Sequence, residues 1–245
     1  MSVIESILLT ATPVFTFNGP QRLTNASGFF FERDRRLFLV TSRHVMIDEA
    51  SEHFPDRAEI ELHIDPDNMA RSIGFSIPLY RDGKSVWRQG NDSGGPVDVA
   101  VIEIERGALP STAIYRPFTP DHLSGDLDRV AVGTSLLIVG FPLGFHDTLH
   151  HLPVVRHAAL ASSFGLRFQG QGCFLTDART HRGTSGAPVV IYRSETNRMR
   201  NDLACTLLGV HSAVFDVGSR DLNLDEALGL NCAWYADILL TLTGA

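Results

Sequence analysis

Cysteine is scarce in this chain: Cys173, Cys205 and Cys232 are the only three. Their odd number and apolar, strand-like surroundings fit reduced, buried thiols better than a disulfide framework. None lies in a glycine-rich turn, so a cysteine nucleophile has no local support. Long apolar runs are missing too, and nothing approaches the ~20 residues needed to cross a bilayer. The opening MSVIESILLTATPVFTF has no basic start, long apolar stretch or small-residue cleavage site of a secretory signal. Together these absences lead to the expectation of a cytoplasmic protein with no membrane partner. Basic charge is in deficit, with 21 Lys and Arg against 28 Asp and Glu and a net charge of -7. A surface built to neutralise phosphates needs the opposite balance, so no nucleic-acid partner is expected. No basic run offers a hold on anionic lipid, and no repeat or low-complexity linker divides the chain.

What is present is apolar material in short pieces. Hydrophobic residues make up 44% and charged residues 20% of the 245, enough for a substantial core. Stretches such as SGFFFE, RLFLVTS, AEIELHI, VDVAVIEI, TSLLIVGF, CFLTDA, APVVIY and CTLLGVHSAVF are alternating or wholly apolar and are separated by Gly, Pro and Asp clusters. Such spacing reads as all-β, with sandwich or barrel packing rather than repeating βαβ units. Two antiparallel β-barrels are expected, about residues 1–115 and 125–233, with a crossover near 107–128. Helix is expected in a short turn after His44 and in WYADILLTL, about 234–243, where apolar residues recur at helical spacing. NDSGGP at 91–96 and RSETNRMRND at 193–202 read as loops.

Three short patterns carry chemistry. LFLVTSRHV ends near His44, VDVAVIEI opens with Asp98, and RGTSGAPVV centres on Ser185. Each sets a polar reactive residue at the edge of an apolar strand, where a rigid scaffold can hold it in register. Serine is a weak nucleophile until a positioned base takes its proton. His44 is the candidate base, and Asp98 the carboxylate that fixes its tautomer and stabilises its cation. The backbone N–H groups of Gly183 and Ser185 are the candidate oxyanion donors, and Gly183 has the freedom that such a turn needs.

TSRHV, DVAVI and GTSGAPV resemble the three signature segments of trypsin-like, chymotrypsin-fold serine peptidases, especially the bacterial HtrA-type and glutamyl endopeptidase branches. The order His, Asp, Ser and the spacings of 54 and 87 residues fit that likeness, which extends through LLIVGFPLG and FLTDA over about residues 26–214. The resemblance implies two six-stranded-type barrels with a C-terminal helix in one peptidase domain, and peptide-bond hydrolysis through an acyl-enzyme. It implies no cofactor and no metal, a protein or peptide substrate, and leaves room for a regulatory protein partner. No activation segment precedes the first strand and Thr184 stands where digestive trypsins carry an aspartate, so zymogen activation of that kind is not expected.

Specificity is read from the same resemblance. Arg179 occupies the place of the acidic residue with which trypsins bind Lys and Arg, which disfavours a basic preference. Thr180 and the His211 of Gly-Val-His-Ser match pocket residues of glutamyl endopeptidases, so an acidic or amide side chain, Glu first and Gln or Asp next, is expected before the scissile bond. The alternative for His211 is a core histidine bonded to a backbone carbonyl; Ser212 and Ala213 replace the usual glycines and would narrow the pocket. Ser93, in NDSGGP, imitates a nucleophile signature, but it lies before Asp98 and has Asn91 where a glycine is wanted; a tight turn is the expected role. His146, His150, His151 and His157 lie within twelve residues, yet no carboxylate motif accompanies them and Pro153 ends any helix, so no metal site is expected. The competing functional class is a catalytically silent or partner-activated binding module on the same barrels, and an esterase or transacylase would use the same nucleophile.

Overall fold

The computed structural model describes residues 4–123, 130–192, 203–212 and 229–244. The loop at 193–202 and part of the expected crossover therefore lie outside the described residues. The strands of the first half are β1 (Ala11–Asn18), β2 (Gln21–Arg33), β3 (Arg36–Thr41), β4 (Arg57–His63), β5 (Ser72–Pro78), the small ribbon β6 (Tyr80–Arg81) and β7 (Lys84–Ser85), β8 (Trp87–Asp92) and β9 (Gly95–Ile104). Those of the second half are β10 (Ser135–Gly140), β11 (Val154–Leu160), β12 (Cys173–Asp177), β13 (Pro188–Tyr192), β14 (Cys205–Ser212) and β15 (Leu230–Tyr235).

The second half is a closed six-stranded barrel in the order β10-β11-β12-β15-β14-β13. The first is a seven-stranded sheet, β5-β4-β1-β2-β3-β9-β8. All their pairings are antiparallel, in keeping with the chymotrypsin-like double-barrel fold. The extra strand arises because Ser93 and Gly94 form a two-residue turn, with Asp92 opposite Gly95, so that WRQGND zips onto β9.

Period-two alternation explains how the halves join. On β2, Phe30 points into the first sheet's own core, while Phe29 and Phe31 face the other way. On β9, Ala100 and Ile102 take the first side and Val97, Val99 and Val101 the second. These second-side residues share one buried cluster with Val139, Phe141, Val190, Val210 and Trp234 of the other barrel. A strand buried on both faces gives the continuous apolar runs seen in the sequence. Separate clusters fill the interior of each half, and the three cysteines are free and buried in the shared one.

The C-terminal helix is shorter than the sequence pattern suggests. Trp234 and Tyr235 belong to β15, where Trp234 lies opposite Cys173 and Val210, and α-helix is confined to Ile238–Leu242. Ladder hydrogen bonds on both sides outweigh the helical spacing of these apolar residues. Leu239 and Leu242 then drop into the shared core. Arg88 donates to the Leu242 and Gly244 carbonyls and Arg33 to that of Leu240, so cations of the first sheet satisfy the helix's free C-terminal acceptors. Among the described residues no helix is long and apolar enough to cross a membrane.

Candidate active site

β3 ends at Thr41, and a single helical turn, α1 (Arg43–Met46), follows it with Val45 and Met46 buried as anchors. Thr41 lies opposite Ala100 on β9; continuing that register by two places brings Asp98 beside the first residues of α1. The Asp98 carboxylate grips His44 twice there. Its Oδ1 accepts the His44 backbone N–H and its Oδ2 lies 2.8 Å from the ring Nδ1, the backbone bond also being 2.8 Å. An ionised carboxylate only accepts, so the ring proton sits on Nδ1 and Nε2 is left as a base. The imidazole is 28% exposed and the carboxylate 21%. Burial pulls the His44 pKa down, but the Asp98 hydrogen bond and the charges of Asp98 and Asp48 outweigh it, and the net displacement is upward.

Ser212 makes a contact that the sequence does not advertise. Its hydroxyl donates to Asp98 Oδ2 at 2.8 Å, so this residue, read from sequence as narrowing a pocket, orients the carboxylate. Ala213 lies outside the described residues.

The Ser185 turn is ordered by its carbonyls. Leu143 N–H donates to the Arg182 carbonyl at 2.5 Å, the Ser27 hydroxyl donates to that of Gly183 at 2.7 Å, and Ala187 N–H donates to that of Thr184 at 2.9 Å. In a trans peptide the C=O and N–H point in opposite directions. Pinning the Arg182 and Thr184 carbonyls inward therefore turns the N–H groups of Gly183 and Ser185 outward, and among the described residues neither has an acceptor. Gly183 adopts φ +92° and Gly186 φ +86°. A Cβ on Gly186 would stand 2.2 Å from the Ser27 carbonyl oxygen and 2.3 Å from Thr41 Oγ1.

Ser27 ties this turn to the first sheet. Fully buried on β2, it also donates its N–H to the Ser185 carbonyl and accepts the Phe141 N–H on its hydroxyl, both at 2.9 Å, while its carbonyl accepts the Thr41 hydroxyl. The His211 carbonyl adds a second tie, accepting Gly186 N–H at 2.8 Å and the Ser42 hydroxyl at 3.2 Å. The turn bearing Ser185 and the residue preceding α1 thus hang from one oxygen. Ser185 itself is buried to 6% exposure, and none of these ties to Ser27 or His211 is visible in a local motif.

Beyond the turn, Thr180 donates its hydroxyl to Asn231 Oδ1, and the Asn231 amide donates to the Ala178 and Gly229 carbonyls. Arg179 is exposed, its backbone carbonyl held by Arg156. His211 is wholly enclosed, and neither ring nitrogen has a partner among the described residues. The carbonyl bond considered for this ring is therefore not made. Burial, helped by nearby His44, drives its pKa down to about 3, so the ring is neutral.

A sequence profile of the trypsin-like peptidase domain matches residues 26–195, which contain His44, Asp98 and Ser185. This chain belongs to the trypsin-like peptidase family. Among solved structures, the active form of the Rv3671c protease from M. tuberculosis superposes with a TM-score of 0.53 at 14% identity, covering 98% of this chain and 82% of that one. The serine endoprotease from Yersinia pestis gives 0.55 at 14% identity, covering 99% of this chain and 66% of that one. At such identities the likeness is one of fold. Comparison with curated protein sequences finds no significant match.

In this trypsin-like peptidase Ser93 occupies the hairpin turn between β8 and β9, the role expected of it. The four histidines split up. His150 bonds Asp147, His151 bonds Glu61, His146 turns back to the Gly144 carbonyl, and His157 lies on β11 near Ser135. No group of three metal-ligating side chains forms among the described residues. His63, which the sequence reading passed over, reaches across from β4 to the His150 carbonyl at 2.7 Å. These contacts fasten the 145–152 loop of the second barrel to the first sheet.

Proposed function

We propose that this trypsin-like peptidase is a serine endopeptidase in which Ser185 is the nucleophile, His44 the general base and then acid, and Asp98 the group that orients His44. The observations that carry the reading are the outward N–H groups of Gly183 and Ser185, which have no acceptor among the described residues, and a His44 ring whose tautomer Asp98 fixes. Donors that meet no acceptor among the described residues are preorganised for an oxyanion, and each such donor contributes on the order of 10²–10³ in rate.

In this mechanism His44 Nε2 takes the Ser185 proton as Oγ adds to the scissile carbonyl. The oxyanion of the tetrahedral intermediate accepts from Gly183 and Ser185. His44 then protonates the leaving amine, the C–N bond breaks, and an acyl-Ser185 ester remains. Water, deprotonated by the same imidazole, attacks that ester and releases the acid.

A Glu, Gln or Asp side chain before the scissile bond is the preference that the pocket residues support. Neutral His211 has an N–H to donate, Thr180 and Asn231 add polar atoms, and exposed Arg179 supplies no acidic partner for Lys or Arg. The enclosure of His211 and the Thr180–Asn231 bond also favour a second reading, in which a partner opens the pocket before turnover.

Labelling with a fluorophosphonate separates these. An adduct on Ser185, lost in Ser185→Ala and kept in Ser93→Ala, is the expected result. An unlabelled but folded wild type sinks constitutive catalysis and leaves the partner-activated module in front. Cleavage after Lys but not Glu in a peptide library eliminates the acidic preference.

A further inference from the structure

The peptide units of the Ser185 turn alternate in direction. Those joining Arg182 to Gly183 and Thr184 to Ser185 aim their N–H groups outward, as described above. The unit between them, Gly183–Thr184, is reversed: its N–H donates to the His181 carbonyl at 3.1 Å and its carbonyl accepts the Ser27 hydroxyl at 2.7 Å. Each unit is planar, so rotating the central one swings the planes on both sides of it and re-aims both donors. Gly183, at φ +92°, has no Cβ to restrict that rotation. The hold on the central carbonyl comes instead from outside the turn, 156 residues away in the sequence.

Ser27 supplies this hold with a hydroxyl that has one possible direction. Phe141 N–H can only donate and the Gly183 carbonyl can only accept, so the single hydroxyl proton points to Gly183. The group is enclosed, since Ser27 is 0% exposed and a Cβ on Gly140 would stand 2.7 Å from its oxygen. Through its own N–H, Ser27 also holds the Ser185 carbonyl at 2.9 Å. It therefore fixes the two peptide units that flank the one bearing the Ser185 N–H. The Phe141 N–H that its oxygen accepts lies two residues before Leu143, whose N–H fixes the Arg182 carbonyl and with it the Gly183 donor. Both donors thus depend on one side chain of β2, although the turn itself belongs to the second half.

We propose that Ser27 is a positioning residue for the oxyanion hole: its hydroxyl fixes the Gly183–Thr184 peptide and makes the alignment of the hole conditional on contact between the two halves. This rests on the serine endopeptidase reading and deepens it. Ser27 touches no substrate in this role and acts through Gly183 and Ser185. Its loss slows the step in which the oxyanion forms and spares the binding that precedes it.

The test is saturation kinetics of fluorophosphonate labelling for wild type, Ser27→Ala and Thr12→Val. Thr12 is a matched control: its buried hydroxyl on β1 accepts the Glu61 N–H at 3.1 Å and donates to the Glu61 carbonyl at 2.9 Å, a relay of the same kind within the first sheet alone. Ser27→Ala is expected to lower the limiting labelling rate about 10–100-fold, somewhat less than removal of a donor itself, with the half-saturating probe concentration within about twofold of wild type. The acidic limb of its pH profile is expected to stay in place, because His44 and Asp98 keep their bond. Thr12→Val is expected to melt lower by a similar amount yet to label at the wild-type rate. A fall of less than about threefold in folded Ser27→Ala overturns the inference, as does an equal fall in Thr12→Val, which makes both effects general loosening. Should Ser27→Ala not fold, Gly140→Ala puts the same question by pressing a Cβ on the Ser27 oxygen, and a folded Gly140→Ala that labels like wild type overturns the inference. Failure of folded wild type to label overturns constitutive catalysis and this inference with it.

Discussion

Asp98→Asn perturbs the proposed site with almost no change of shape. The native carboxylate accepts three hydrogen bonds, from the His44 backbone N–H on Oδ1 and from His44 Nδ1 and the Ser212 hydroxyl on Oδ2, each at 2.8 Å. An asparagine has one acceptor oxygen. With that oxygen toward the His44 backbone, its NH₂ faces Nδ1 and forces the ring to accept there. The proton moves to Nε2 and the base is lost. The flipped amide sets NH₂ against the backbone N–H, two donors facing each other at a cost of about 1–3 kcal/mol. The first arrangement wins, and with it the wrong tautomer.

The expected loss in the rate of fluorophosphonate labelling is about 10⁴-fold, equivalent to about 5 kcal/mol in the barrier. A second readout separates this from simple damage. The upward displacement of the His44 pKa depends on the Asp98 bond and charge acting against burial. Without them burial dominates, and the acidic limb of the pH profile of residual labelling moves to lower pH. Labelling of folded Asp98→Asn within tenfold of wild type, with an unmoved limb, would refute the tautomer argument.

Gly186→Ala meets the Ser27 carbonyl oxygen at 2.2 Å at φ +86°, whereas Gly83→Ala, at φ +73°, meets nothing within 4 Å. Thermal melting should separate them, by about 5–15 °C lost for Gly186→Ala and about 2–4 °C for Gly83→Ala, from about 1 kcal/mol of backbone strain in both and overpacking in the first alone; equal shifts would count against the packing of this turn. His211, held at about 3 when folded against about 6.5 unfolded, contributes stability that is full above pH 6.5 and is lost as pH falls toward 3. Denaturant titrations of His211→Leu between pH 6 and pH 4 should show a pH slope shallower than wild type by about 1.4 kcal/mol per pH unit, and an unaltered slope would mean that the ring is not buried neutral. Burial pushes the Cys205 thiol up to about 12, and Cys173 and Cys232 are sealed in the core. Intact mass after brief maleimide treatment at pH 8 should therefore show no native adduct and three after denaturation; rapid labelling of Cys205 in native protein would contradict its placement.

The sequence by itself determined whatever is local. Alternation and apolar runs marked most of the strands, turn residues placed a tight turn at Ser93 ahead of the Asp98 strand, though not the pairing of β8 with β9, and three short motifs singled out His44, Asp98 and Ser185. A strand pattern with period two reports its faces directly, and a reactive residue at a strand edge stands out against apolar neighbours. Local pattern erred at the C-terminus, where Trp234 and Tyr235 fit a helix in spacing but a ladder in fact, because pairing with distant β12 and β14 outweighs it. Only the tertiary structure decided which carbonyls are pinned. The Ser27 contact with Gly183 spans 156 residues and the Ser212 contact with Asp98 spans 114. Serine is too common in any chain for its identity to announce such a partner. The exposure of Leu143, Phe145 and Leu149 was equally hidden, since leucine and phenylalanine in sequence read as core until the fold leaves them outside. Burial and hydrogen-bond direction are relations between segments, and they exist only once the two barrels close on one another.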